Sequence, residues 1–175
     1  MNRMPRLLVL IGFVLASATM TFAQEKADGD KSDAVTLKVV NYAELGKTVK
    51  DLKGKVVVVD FWSDTCIPCK RNFPHLVDQY AKHAKDGLVA ISVSLDDAQD
   101  DAARAKALKF LTAKKAAFAN LILDEKPEVW QQKLHAAELP LIFVFDRAGK
   151  AYKFNGETLE LDEVDQLIDE LLQKK

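Results

Sequence analysis

Cysteine is almost missing from this chain. Its 175 residues hold only Cys66 and Cys69, so the several bridges that brace many small exported domains are excluded. Glycine and proline are sparse, seven and five, and no internal repeat or long low-complexity segment is present. No basic block stands out either. The 25 basic and 26 acidic residues nearly cancel, and nothing points to nucleic acid. Histidine is scarcer still, limited to His75, His83 and His135. A structural zinc wants four ligands. His75 and His83 fall on the polar side of a helical pattern, where solvated surface is expected, and His135 stands alone at a helix end. Zinc and other metal sites are therefore not expected.

The N-terminus reads as an export signal. Arg3 and Arg6 form a positive region, Leu7 to Ala18 an apolar one, and Thr21 and Ala23 the small residues before a cut. The apolar run to Ala23 is slightly short of the about 20 residues of a spanning helix. Residues 1–23 are thus a cleaved signal, with an uncleaved membrane anchor as the alternative. Export implies a periplasmic location. Residues 24–34 are charged and nearly devoid of apolar groups, a flexible linker. Residues 35–175 have the size of one domain.

Within that domain strands and helices alternate. Thr36–Val40 is a candidate strand, and Tyr42–Leu52 has helical spacing. Val56 to Phe61 is a continuous run typical of a strand buried on both faces. Phe73, Leu76, Val77, Tyr80, Ala81 and Ala84 make one apolar helical stripe, with Pro74 inside it. Leu88–Leu95 reads as a second buried strand. A helix is expected from Asp96 and Asp97 to about Lys114, with Leu108 and Leu111 inward. Asn120–Leu123 is a short strand and Pro127–Leu134 a brief helix. Leu141–Phe145 and Lys150–Phe154 form a hairpin across Asp146 to Gly149, followed by a helix carrying Leu161, Val164, Ile168, Leu171 and Leu172. The pattern predicts an α/β fold, a mixed sheet covered by helices on both faces.

Chemistry concentrates at Cys66-Ile67-Pro68-Cys69, between the first buried strand and the striped helix. Thiols three positions apart on a first helical turn can close into a disulfide and reopen, and a helix N-terminus favours a thiolate. Closing so small a loop removes little chain entropy, so bracing the fold is a poor reason for the pair. Cys66 is the expected nucleophile, Cys69 the more buried resolving thiol. Asp60, ending the valine run, is either a buried proton acceptor for Cys69 or a strand-end carboxyl bonding to turn N–H groups. Pro140 follows Leu139 at a strand entry. A trans bond is the default there, with cis at only about 5–6% of such bonds.

The run Val56-Val57-Val58-Val59-Asp60-Phe61-Trp62-Ser63-Asp64-Thr65-Cys66-Ile67-Pro68-Cys69-Lys70, the helix proline at 74 and Leu139-Pro140 before a strand resemble the thioredoxin superfamily. The extra helix and strand before Pro140 are similar to the insertion of its TlpA-like exported branch. The resemblance implies a thioredoxin fold with Cys66 attacking and Cys69 resolving. It also implies a cis bond at Pro140, and a partner groove bordered by Trp62, Ile67, Pro68, Leu139 and Pro140. The expected function is exchange with protein disulfides or dithiols, running as a reductase with an unidentified electron donor or acceptor, and with no cofactor. Asn72 stands where branch members serving cytochrome c maturation carry Glu, which argues against that role. A thiol peroxidase of the same fold is an alternative, although Thr65 adjoins Cys66 and its loop holds no proline. A non-catalytic binding domain is another.

Overall fold

A computed structural model describes Met1 and residues 34–156 and 159–174. The expected export signal and most of the charged linker lie outside the described residues. Eleven regular elements follow in the order β1 (Lys38–Val40), α1 (Tyr42–Asp51), β2 (Val56–Trp62), α2 (Ile67–His83), β3 (Leu88–Ser94), α3 (Asp101–Ala113), β4 (Ala119–Leu123), α4 (Pro127–Leu134), β5 (Leu141–Phe145), β6 (Ala151–Asn155) and α5 (Leu161–Gln173). They build one six-stranded sheet in the order β1-β4-β3-β2-β5-β6. The first four strands of that order are parallel, and β5 and β6 are antiparallel additions. Strand β4, from the inserted segment, sits between β3 and β1. This is the mixed, helix-covered sheet that the alternation predicts.

Strand β2 is central and wholly buried, and its period of two assigns each side chain to a layer. Val57, Val59 and Phe61 pack with Leu45 of α1 and Trp130 and Leu134 of α4. Val56 and Val58 face the other way, onto Leu76 of α2 and Val164, Ile168 and Leu171 of α5. Asp60 and Trp62 share that second face by alternation. Trp62 joins Cys69, Phe73, Ala107 and Leu111 in a third cluster at the end of the sheet. Each buried valine or leucine is worth about 1.5–3 kcal/mol over exposure, so register on β2 is strongly fixed. A one-residue slip would put Asp60 among the α1 and α4 side chains.

Two helices differ from expectation. Helix α3 starts at Asp101, capped by the Asp100 side chain on Ala102 N–H, and not at Asp96. Asp96 and Asp97 are held by turn bonds instead: Asp96 accepts from Ser94 Oγ and Asp97 from Gln99 N–H. Short acidic side chains compete with helix in this way. Later start or not, Leu108 points outward, 38% exposed, while Ala107 and Leu111 are buried. On α2, Gln79 and His83 are buried and Ala81 is exposed, because α5 covers the flank that carries them. His83 is therefore not solvated surface: its Nε2 lies 3.2 Å from Asp169 and its Nδ1 3.4 Å from Asp86.

Candidate active site

The turn between β2 and α2 is built by its own polar residues. Cys66 N–H donates to Ser63 O, and Lys70 N–H donates to Cys66 O, which starts the helix. Cys66 is the N-cap residue, with extended φ/ψ of −80° and 93° and its Sγ accepting from Cys69 N–H at 3.2 Å. Pro68 lies in the first helical turn, where a missing N–H costs nothing. The resulting geometry brings the Cα atoms of Cys66 and Cys69 to 5.3 Å, and the two sulfurs are joined in a disulfide. Cys66 is half-buried, Cys69 only 1% exposed, and Ile67 between them stands 71% exposed beside the bond.

Three supports hold this turn. Asp64 N–H donates to both oxygens of Asp96, at 3.0 and 3.1 Å, tying the loop to the end of β3. Lys70 Nζ bonds Asp64 Oδ1 at 2.6 Å and lies 5.3 Å from the Phe110 ring centroid. The Lys70 hydrogen bond holds the Asp64 carboxyl below the usual carboxylate range. From beneath, Trp62 packs on Phe73 and Phe110, with centroids at 5.6 and 4.8 Å. Trp62 is completely buried, so it braces the loop and cannot border a groove. The sequence reading of Trp62 as a groove residue is corrected by this packing.

Across the sheet, Phe61 pairs with Leu141, which places Pro140 alongside the end of β2. The Leu139–Pro140 bond is cis, as the resemblance implies and against the trans default. Leu139 is half-buried and packs in the same cluster as Cys66 and Cys69. Ile67 and Pro68 lie between the two cysteines, Leu139 packs in their cluster, and the buried Pro140 follows it, while a wide groove lies elsewhere. That groove, about 580 Å³, is floored by Val57, Val59, Phe61 and Phe143, on the face of β2 opposite to Asp60.

Asp60 is 3% exposed, and burial raises its carboxyl pKa from 3.8 to about 8. Its side chain makes no hydrogen bond among the described residues, and the strand-end role of accepting from a turn N–H falls to Asp96 instead. Next to Asp60 a cavity of about 10 Å³ is lined by Asn72, His75 and Gln79 among apolar residues. His75 Nε2 lies 2.8 Å from Asp165 Oδ1 of α5, an ion-pair distance at an angle off that of a hydrogen bond. The sequence reading missed this polar flank. Its signal was present: positions 72, 75, 79 and 83 recur at three and four residues, a second stripe beside the apolar one. Reading only the hydrophobic stripe hid it.

A six-stranded thioredoxin-like sheet with a two-cysteine turn opening the helix after its central strand defines a thioredoxin-fold domain with a CxxC pair. The chain belongs to the AhpC/TSA family, whose model matches residues 29–153. It is 31% identical over 98 residues to the thiol-disulfide oxidoreductase ResA of Bacillus subtilis, a match covering 53% of this chain and 52% of ResA. The sporulation thiol-disulfide oxidoreductase A of the same organism is 27% identical over 101 residues, 58% of this chain and 59% of that one. The chain spans about half the length of these curated relatives. Among solved structures, a putative thiol:disulfide interchange protein DsbE from Chlorobium tepidum superposes with a TM-score of 0.56 at 29% identity, covering 71% of this chain and 84% of that one.

Proposed function

We propose that this protein is an exported thiol–disulfide oxidoreductase that works as a reductase of protein disulfides. The observation that carries the reading is the asymmetric pair: a half-buried cysteine at the helix N-cap bonded to a fully buried one in the first turn. Reduction of this bond by an upstream dithiol gives two thiols. Cys66, at the positive end of α2, ionises first. Its thiolate attacks a partner disulfide, forming Cys66–S–S–R and expelling the partner's second sulfur as thiolate, which takes up a proton. Asp60 then accepts the Cys69 proton, and the Cys69 thiolate attacks Cys66 Sγ. The mixed disulfide breaks, the partner's sulfur leaves as a thiolate that takes up a proton from solvent, and the Cys66–Cys69 bond is restored. Two protein thiols are oxidised and one partner disulfide is reduced.

A carboxyl whose pKa has risen to about 8 suits this task, since it lies near the ordinary thiol value of ~8.5 and proton transfer is then nearly balanced. The partner chain docks on Ile67, Pro68 and Leu139, with the buried Pro140 shaping the surface from beneath. The direction rests on Lys70, the basic residue one turn beyond Cys66, whose charge is taken by Asp64. A thiolate without a free cation beside it leaves the reduced form without the extra stabilisation that makes strong oxidants. Export rests on residues 1–23, and a mature N-terminus at Gln24 is the expected result of sequencing the secreted protein.

The test is turnover of a protein disulfide with a small dithiol as donor. Cys66→Ser is expected to abolish turnover, and Cys69→Ala to accumulate covalent partners through Cys66. Equal rates for Cys66→Ser and the parent protein would end the reading. Rapid peroxide consumption surviving in Cys69→Ala would favour the peroxidase alternative.

A further inference from the structure

An acceptor buried under a helix must release its proton once per cycle, and Asp60 is only 3% exposed. Apolar side chains of β2, β5, α2 and α5 (Val58, Ile142, Leu76, Leu161, Val164 and Ile168) close most of the wall around the cavity beside it. The remaining wall is polar, made by Asn72, His75 and Gln79 of α2. At about 10 Å³ the cavity has room for one water, which needs two to four polar partners. Partners are waiting there. The Asp60 carboxyl has no hydrogen bond among the described residues, and Gln79 Oε1 is buried with none there either. Unpaired buried polar groups of this kind call for a bridging water.

Of the described residues lining the cavity, only Asp60 and His75 have side chains able to exchange a proton. His75 also reaches the outside. Its side chain is 24% exposed and that of Asp165 31%, while His75 Nε2 and the Asp165 Oδ1 it faces at 2.8 Å are themselves buried. The other charged groups at this helix junction are engaged elsewhere: Asp169 of α5 with His83 and Lys82. Strand β5 presents only Ile142 to the cavity, and β2 only Val58 and Asp60.

We propose that His75 is the proton exit of Asp60, linked to it by a single water in this cavity and opening to solvent beside Asp165. The proton taken from Cys69 moves from the Asp60 carboxyl through the water to the imidazole. The ring has two nitrogens, so it can take up a proton at one and release one at the other. Asp60 returns to its carboxylate and the imidazole to its neutral form, so the relay is unchanged after each cycle. His75 touches no sulfur and acts only through Asp60. The inference therefore rests on Asp60 being the acceptor.

The experiment separates the two claims. Reduced protein is mixed with dithiobis(nitrobenzoate), and stopped-flow absorbance follows two releases of thionitrobenzoate. The first reports attack by Cys66, the second the resolving attack by Cys69. Near neutral pH the buried Asp60 carboxyl starts protonated and must discharge through His75 before it can accept from Cys69, so His75→Ala is expected to leave the first release unchanged and to slow the second by about tenfold, less than the ~100-fold or more of a direct general base. Above about pH 8 the difference should shrink, as hydroxide takes the Cys69 proton directly. Added imidazole should restore the second release in His75→Ala, which no purely structural role allows. A second release within about twofold of the parent, or one slowed at every pH and not rescued by imidazole, overturns the proposal. If His75→Ala does not fold, His75→Gln keeps the polar contact and carries the same rate and pH comparison. Asp60→Asn runs in parallel. If Asp60→Asn leaves the second release intact, the acceptor reading itself fails. If it slows that release while His75→Ala does not, only the exit fails.

Discussion

A carboxyl within a strand of valines is where this chain departs most from its own pattern, and Asp60 has a measurable signature beyond catalysis. Burial raises its pKa from 3.8 to about 8 in the folded protein, so the fold prefers the protonated form. Its contribution to stability is complete below about pH 4 and is lost as pH rises toward 8, because the unfolded chain releases the proton across that window while the folded one keeps it. The slope is at most about 1.4 kcal/mol per pH unit for one proton. Asp60→Asn removes the titration. The variant is expected to gain stability over the parent steadily from pH 4 to 8 in urea unfolding, and to hold a constant lead above that. Parallel pH profiles for the two proteins would show that the carboxyl stays ionised in the fold. The position of Asp60 was legible, since a residue closing a fully apolar run must be buried. Its choice between two roles was not. That choice depends on Asp96, 36 positions later, taking the turn N–H groups, and sequence spacing holds no record of such a contact.

At the scale of elements, the loop of residues 63–65 owes its shape to the end of β3 more than to its own sequence. Asp96 accepts two contacts from Asp64 N–H and one from Ser94 Oγ. Asp96→Ala leaves a part-buried backbone donor and a hydroxyl without their acceptor, a cost of about 1–3 kcal/mol. The expected outcome is that loss in urea unfolding, together with faster hydrogen exchange at the Asp64 amide. Unchanged protection of that amide would mean the clamp is not what orders the loop. The same aspartate explains what could be read in advance. Strands β2, β3 and β5 and helices α1, α4 and α5 follow from period and punctuation, because their burial repeats within a few residues. The start of α3 does not. Asp96, Asp97 and Asp100 are all competent caps, and only the tertiary demand for Asp96 at the loop leaves Asp100 to begin the helix. Leu108 fails for a related reason: α3 packs along Ala107 and Leu111 onto Trp62 and Phe73, a narrower seam than two leucines suggested.

For the molecule as a whole, the disulfide ties its redox potential to its folding stability. Stability of the oxidised form relative to the reduced form is the same free energy that separates this couple from an unfolded dithiol. A difference of 1.4 kcal/mol is about 30 mV. Closing a loop this short constrains the unfolded chain little, so the balance is set mainly by how well the folded protein stabilises the Cys66 thiolate. Lys70, one turn beyond Cys66, is held by Asp64 at 2.6 Å, and Lys106 also acts on that carboxylate, so the N-terminus of α2 is the influence that bears directly on the capping sulfur. The oxidised protein is therefore expected to melt at or above the temperature of the reduced protein, the order that belongs to a reductase. Asp64→Ala tests the cause. Releasing the Lys70 ammonium should favour the thiolate and move the potential upward by roughly 20 mV, a partly exposed pair of this kind being worth about 1 kcal/mol or less after screening by solvent. A reduced form that is clearly the more stable in the parent would reverse the direction of electron flow. A potential unmoved by Asp64→Ala would leave the helix N-terminus as the main influence on the Cys66 sulfur.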